Sequence, residues 1–192
     1  MKKIKITGTS LAQNLTGFAT GVTASAGAAL TLAATTPGDS LAHKIIITPS
    51  GSVTGNYTLT GTDADGNVLT ETLATNTVSA VTSAGYFATL TSVLAPAGIG
   101  AQTVDIGFTA ASVSPWNHLK EAWSPVGVGF ACIKGSGSPT FGVQQEYGDG
   151  TAFDHATVAA KSASIEGAYT TPVRAIRLAW SAAGQVTLLG WY

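Results

Sequence analysis

Residues 53–73, VTGNYTLTGTDADGNVLTETL, decide the fold class. Tyr57, Leu59 and Gly61 alternate with Thr58, Thr60 and Thr62, the period of two that sends successive side chains to opposite faces of a strand. Asp63-Ala64-Asp65-Gly66-Asn67 then supplies turn chemistry. Asp side chains bond nearby backbone N–H groups, and Gly66 tolerates positive φ because it has no Cβ. Val68–Leu73 returns as a second strand. Glu71 falls on the face of Leu69 and Leu73, which predicts an edge strand where a charge discourages stray pairing.

The same turn invites a calcium reading. Asp63, Asp65 and Asn67 stand at positions 1, 3 and 5 of a twelve-residue calcium loop. The glycine required at position 6 is replaced by Val68, and the bidentate glutamate of position 12 by Ala74. The stretch therefore reads as a hairpin turn, and no metal ligand is assigned.

Outward from the hairpin, short strand patterns recur about every ten residues, separated by Gly, Pro and Asn/Asp. Lys3–Thr7 alternates Lys and Thr with Ile4 and Ile6. Residues 11–27 are rich in Gly, Ala, Thr and Ser and read as an extended arm that orders against a partner. Ala28–Thr35 reads as a strand stopped by Pro37-Gly38-Asp39. Leu41–Pro49 holds three consecutive isoleucines, which favour a pleated surface. His43 at its start has no second ligand at i+2 or i+4 and reads as a surface or edge residue. In Val78–Leu94, interrupted at Gly85, Phe87, Thr89, Thr91 and Val93 oppose Ala88, Leu90 and Ser92. Thr103–Thr109 sets Val104, Ile106 and Phe108 against Asp105 and Gly107.

Composition shifts near residues 110–123. The tryptophans and both arginines follow Pro115. Ser114 as N-cap and Pro115 at the first position predict a helical turn over Trp116–Trp123, with His118 and Glu121 at i, i+3. Val126–Ile133 reads as a strand, Lys134–Pro139 as a loop, and Thr140–Tyr147 as a strand. A turn is expected at Gly148-Asp149-Gly150, and an irregular stretch at 151–170. Pro172–Trp180 reads as a strand, Ser181–Gln185 as a short loop, and Val186–Tyr192 as a closing strand. Amphipathic helical patterns between strands are missing, which argues against β-α-β units. The expected fold is all-β: an antiparallel β-sandwich, jelly-roll-like, as one sandwich or two packed units with little helix. The expected divisions are residues 1–40 as an extended arm with the first strands, 41–112 as a sandwich core, and 113–192 as a second unit or a continuation.

Charge and composition narrow the function. The 192 residues carry nine Lys or Arg and ten Asp or Glu, a net charge of −1. Charged residues make up 10% of the chain, against about 25% in a typical soluble domain. Hydrophobic residues at 45% argue against disorder, which goes with low hydrophobicity and high net charge. So few charges predict a surface covered by neighbouring subunits, since interface cores are depleted of charge. Seven lysines and two arginines with a pI near 6.2 argue against a nucleic-acid groove. Gly and Thr interrupt every apolar run before the roughly 20 residues of a membrane helix. Met1-Lys2-Lys3-Ile4-Lys5 is not followed by the apolar run and cleavage site of a secretory signal. Cys132 is the only cysteine, which fits a reducing cytoplasm, and it reads as a small buried hydrophobe.

No catalytic constellation emerges. Asp149, Asp154, His155 and Glu166 form no hydrolase motif, and the adjacent Asp154 and His155 point apart in extended backbone. The glycines of 134–139 are not followed by the Lys-Ser/Thr of a phosphate-binding loop. No catalytic residue, cofactor or metal is assigned. Trp116, Trp123, Trp180 and Trp191 raise a carbohydrate-binding alternative, since sugars stack on exposed rings; the plainer alternative places them in a core or interface.

Two segments carry a resemblance. The first is Tyr57–Asn67 through Glu71-Thr72-Leu73, followed by Gly85-Tyr86-Phe87-Ala88-Thr89-Leu90-Thr91-Ser92-Val93. The second is Gly142–Asp149, then Pro172-Val173-Arg174-Ala175-Ile176-Arg177-Leu178 and a final short hairpin. Together they resemble small structural proteins of tailed bacteriophage virions, over roughly residues 45–110 and 140–192. The resemblance implies a non-enzymatic virion subunit in many symmetric copies, assembled in the host cytoplasm. Its partners would be copies of itself and other virion proteins, with no nucleic acid and no membrane. The expected place is a head decoration or cement protein on the major capsid protein. The alternatives are a neck, tail-tube or fibre-hub component, or a carbohydrate-binding adhesin module.

Overall fold

The computed structural model of the chain describes residues 3–75, 78–119, 128–169 and 173–191. These are all-β, without a helix among them, in antiparallel sheets of a sandwich-like class, as the alternation predicts. The chain divides into two compact units, residues 13–110 and residues 1–12 with 111–192. The first strand, Lys3–Ser10, therefore belongs with the C-terminal part, whereas the sequence groups it with an arm over 1–40.

The unit of residues 13–110 is built from two sheets. One holds β2 (Asn14–Val22), β3 (Ala42–Pro49), β6 (Val81–Thr82) and the start of β8 (Val104–Val113), in the order β6-β3-β8 with β2 also on β8. The other is β5 (Val68–Thr75), β4 (Gly55–Thr62) and β7 (Thr89–Leu94), with β4 central. Inward residues of both sheets make one core: Ile45, Ile47, Val104, Ile106 and Phe108 from the first, Tyr57, Leu59, Leu73, Leu90 and Val93 from the second. Burying each such side chain stabilises by about 1.5–3 kcal/mol.

Residues 11–27 are not an arm. Most of the stretch is β2, paired antiparallel with β8 at Asn14↔Phe108, Ala19↔Ile106 and Val22↔Val104. Phe18 is buried completely and meets Phe108 edge-on at 5.9 Å between centroids. The register shifts twice along this pair, so the Gly-rich sequence makes an irregular strand instead of a free one. Gly107 permits the approach, because a Cβ there would lie 2.0 Å from the Asn14 carbonyl oxygen. Ala28–Thr35 is not a regular strand either. It follows β7 through single bonds, Leu30 N–H to the Val93 carbonyl (2.8 Å) and Leu90 N–H to the Thr35 carbonyl (2.8 Å).

The expected faces of β7 are also corrected. Leu90 and Val93 both point inward, although they are three residues apart. The register passes from Thr60↔Ser92 to Gly61↔Leu90, leaving Thr91 as the extra residue of a bulge. Its hydroxyl donates to the Thr60 carbonyl at 3.0 Å.

The second unit is organised on two long strands, β10 (Val128–Glu146) and β13 (Ala175–Trp191), paired antiparallel from Gly129↔Trp191 to Glu146↔Ala175. β1 (Lys3–Ser10) runs along the second half of β13, and β12 (Ile165–Tyr169) along the start of β10. β11 (Phe153–Asp154) lies beside the end of β10. β9 (Asn117–His118) and the last residues of β8 lie beside the first half of β13. Phe130, Cys132, Phe141, Val143, Ile176, Leu178, Trp180 and Leu188 are buried in this unit.

Two expected loops disappear into these strands. Lys134–Pro139 and Ser181–Gln185 face each other where the register shifts, near Gly137↔Gly184. Both glycines take positive φ, 82° and 142°, so the ribbon bulges there without ending. The closing segment is thus the continuation of one strand, not the second arm of a short hairpin. The helical turn expected after Ser114 is absent from its described residues. Ser114 instead bonds β13, its N–H donating to the Leu178 carbonyl (3.0 Å) and its hydroxyl oxygen accepting the Leu178 N–H (3.1 Å). Residues 120–123 of that segment, with Glu121 and Trp123, lie outside the described residues.

Candidate functional site

The hairpin is the first place to look. Its register runs from Gly55↔Thr75 to Thr62↔Val68, leaving Asp63–Asn67 as the loop. Asp63 organises that loop. Its Oδ1 accepts the N–H groups of Asp65 and Asn67, both at 2.9 Å, and its Oδ2 accepts the Asn67 side-chain N–H at 3.1 Å. Gly66 has φ of 84°. The Asp63 carboxylate is thus spent on the turn, as the sequence reading expects. Among the described residues no group of three or more His, Cys, Asp or Glu is placed to hold a metal ion.

Glu71 lies on edge strand β5 and has a definite task. Its two carboxylate oxygens accept the N–H groups of Ala84 (2.6 Å) and Gly85 (2.9 Å), which ties the segment before β7 to the edge. Charge-assisted bonds of this kind are stronger than neutral ones.

The hydrolase candidates are dispersed. Asp149 is exposed in the turn, its carboxyl held below its ordinary range chiefly by the Thr151 N–H. Exposed Asp154 accepts the Gln144 side-chain N–H at 3.0 Å. Glu166 is exposed on β12 opposite Ala131. His118 is exposed on β9. His155 is buried, edge-on to Phe130 (5.2 Å) and Tyr169 (4.7 Å). Its Nδ1 accepts the N–H groups of Thr157 and Val158, each at 3.2 Å, and its Nε2–H donates to the Ala168 carbonyl at 3.2 Å. Both ring nitrogens are therefore committed to the backbone.

Cys132 is buried, as the sequence reading expects, and loss of hydration lifts its thiol to about 12. The Tyr169 hydroxyl is also pushed up, first by burial, and it finds no hydrogen-bond partner among the described residues.

His43 overturns the surface reading. It is fully buried, on the same side of β3 as Ile45 and Ile47. Its Nδ1 lies 2.8 Å from the Thr109 carbonyl oxygen, and its Nε2 lies 2.8 Å from Oδ2 of Asp39. Neither Asp39 nor this pairing is visible from ligand spacing alone. The signal that finds it is parity: His43 stands two and four residues before inward isoleucines.

The described tryptophans do not gather. Trp180 is buried, Trp116 lies under the Arg177 guanidinium at 4.3 Å, and Trp191 is 41% exposed. A different aromatic pair stands at the surface: Tyr147 and Phe153, 48% and 45% exposed, with ring centroids 5.7 Å apart. They flank the Gly148-Asp149-Gly150 turn.

The described residues offer surface, turn tips and strand edges, with Asp63, Glu71, His43 and His155 bonded into the architecture. The chain matches no protein-family model, no curated protein and no solved structure.

Proposed function

We propose that the chain is a non-enzymatic structural subunit of a tailed-phage virion, most simply a head decoration protein that stabilises the capsid. The observation that carries the reading is a charge-poor β surface with large apolar side chains on it. Nineteen charged residues serve a chain of 192, while Leu15, Val68, Val78, Ile133 and Trp191 stand exposed. Such a surface suits burial against neighbouring copies and a capsid lattice, where charge is depleted and apolar area is covered. The resemblance of the two segments to phage virion proteins points the same way. A neck, tail-tube or fibre-hub position shares this support.

The test is immunogold electron microscopy of intact virions with an antibody raised against the purified chain. Label over the head supports decoration. Label at the neck or tail moves the subunit there. Virions without label, from a host that makes the chain, overturn the proposal.

The exposed Tyr147 and Phe153 favour one second reading, a carbohydrate-binding tip, because sugars stack on such rings. A glycan array answers it: binding lost on Tyr147→Ala supports a lectin role, and a blank array removes it.

A further inference from the structure

His43 is held by two oxygen atoms, and this constrains its protons. The Thr109 carbonyl oxygen has only lone pairs, so the Nδ1 it faces at 2.8 Å carries a hydrogen. Across the ring, Nε2 meets Oδ2 of Asp39 at 2.8 Å, with the two side chains 0% and 5% exposed. A hydrogen must lie between these atoms as well. It sits on Nε2, giving an imidazolium beside a carboxylate, or on Oδ2, giving two neutral partners. A singly protonated ring beside an ionised carboxylate would set lone pair against lone pair in a site closed to solvent.

We propose that Asp39 and His43 form a proton-dependent latch, closed while the pair holds two protons and opened by the loss of one. What it fastens is the segment Pro37–Leu41. Asp39 Oδ1 accepts the Leu41 N–H at 3.1 Å, and Ser40 between them takes φ of 63°, a conformation non-glycine residues seldom adopt. Through the ring, this reversal is tied to the Thr109 carbonyl on β8. The Phe108 ring closes the site edge-on, 4.9 Å from the imidazole centroid.

No other described titratable group faces the ring. Lys44, next along β3, points to the other side and lies over Tyr86 at 5.3 Å. Tyr86 precedes Phe87, the residue bridged to His43, and so points away with Lys44. On β8, Asp105 is three residues from Phe108, on the opposite face, and accepts the Gly21 N–H at 2.7 Å. β2 carries no titratable residue.

The test is a long-range hydrogen–nitrogen NMR spectrum of the nitrogen-15-labelled full chain at neutral pH, with the Asp39 carboxyl carbon shift. The expected result is two protonated ring nitrogens on His43, or one together with a protonated Asp39. His155 in the same spectrum serves as the control with one bare nitrogen. A bare His43 nitrogen beside an ionised Asp39 overturns the latch. A second arm uses Asp39→Asn, whose amide N–H can reach Nε2 without an extra proton. The wild-type melting temperature is expected to fall as rising pH takes one proton from the pair, and that of the variant to stay level over the same range. Identical pH profiles overturn the proposal. If the variant does not fold, the wild-type spectrum decides alone.

Discussion

The two buried histidines, one in each unit, do opposite things with the same ring. His155 meets backbone donors at Nδ1 and a carbonyl at Nε2, so a neutral ring with one hydrogen satisfies every contact. His43 meets an acceptor on each side and needs a hydrogen for both. His155 closes a local turn, residues 155–158, inside an aromatic cluster. His43 joins residues distant in sequence, 39 and 109. The difference teaches that burial alone does not say what a histidine contributes; the polarity of its partners does.

The largest break in this comparison is expected from His43→Ala. It takes the imidazole away from Asp39 Oδ2 and leaves a cavity against Phe108. Removing one member of a buried pair costs about 3–5 kcal/mol. Urea unfolding should show that loss, and His43→Ala within 0.5 kcal/mol of wild type would break the account of this site.

Substituting asparagine sharpens the contrast. At residue 155 the asparagine Oδ1 can still accept N–H groups two and three residues on, as Asx turns do. His155→Asn should therefore cost about 1–2 kcal/mol, mostly the lost ring contacts with Phe130 and Tyr169. His43→Asn is too short to reach both Asp39 and Thr109 and should cost more. Equal losses in paired unfolding curves would mean that partner polarity does not distinguish the sites.

Alkaline pH probes the core around His155. Cys132 is lifted from 9.0 to about 12, so the folded chain keeps its proton where the unfolded chain gives it up. That contribution to stability is complete below the unfolded value and is lost as pH rises toward the folded one. The loss runs at about 1.4 kcal/mol per pH unit between the two values. Cys132→Val should flatten the first part of this decline in melting curves taken from pH 8 to 11. A thiol that reacts rapidly with Ellman's reagent in the folded chain at pH 8 would contradict its burial.

The smallest effect has the opposite sign. Tyr169 presents a buried hydroxyl without a partner among the described residues. Tyr169→Phe removes that group and keeps the ring against His155, so it should be neutral or stabilise by up to about 1 kcal/mol. A loss above 1 kcal/mol would show that the hydroxyl is bonded.

Much of this architecture was legible in the residues. Alternation at Tyr57, Leu59 and Gly61, and again at Val104, Ile106 and Phe108, names strands and their inward faces without reference to anything distant. Asp63 and Gly66 specify their turn by local bonds alone. The misreadings share a physical cause. The Gly-rich residues 14–22 form a strand because β8, far along the chain, supplies the partner and Gly107 the space. Thr91 shifts the face of β7 through a bulge set by its neighbour β4. Lys134–Pro139 and Ser181–Gln185 look like loops separately and become one bulged crossing only when paired. Ligand spacing alone misplaces His43 at the surface. Its parity with Ile45 and Ile47 held the better clue, and Asp39, four residues earlier, looked like part of a Pro-Gly-Asp turn. For function, the residues by themselves reach no further than an all-β architecture, and the phage role is the proposal made beyond it.

The claim that this surface exists to be covered has a direct test in sedimentation velocity, run on the purified chain alone and mixed with phage capsids that lack it. The account predicts symmetric oligomers of the chain, co-sedimentation with capsids, or both. A chain that stays monomeric at every concentration and never travels with capsids or tails would contradict it.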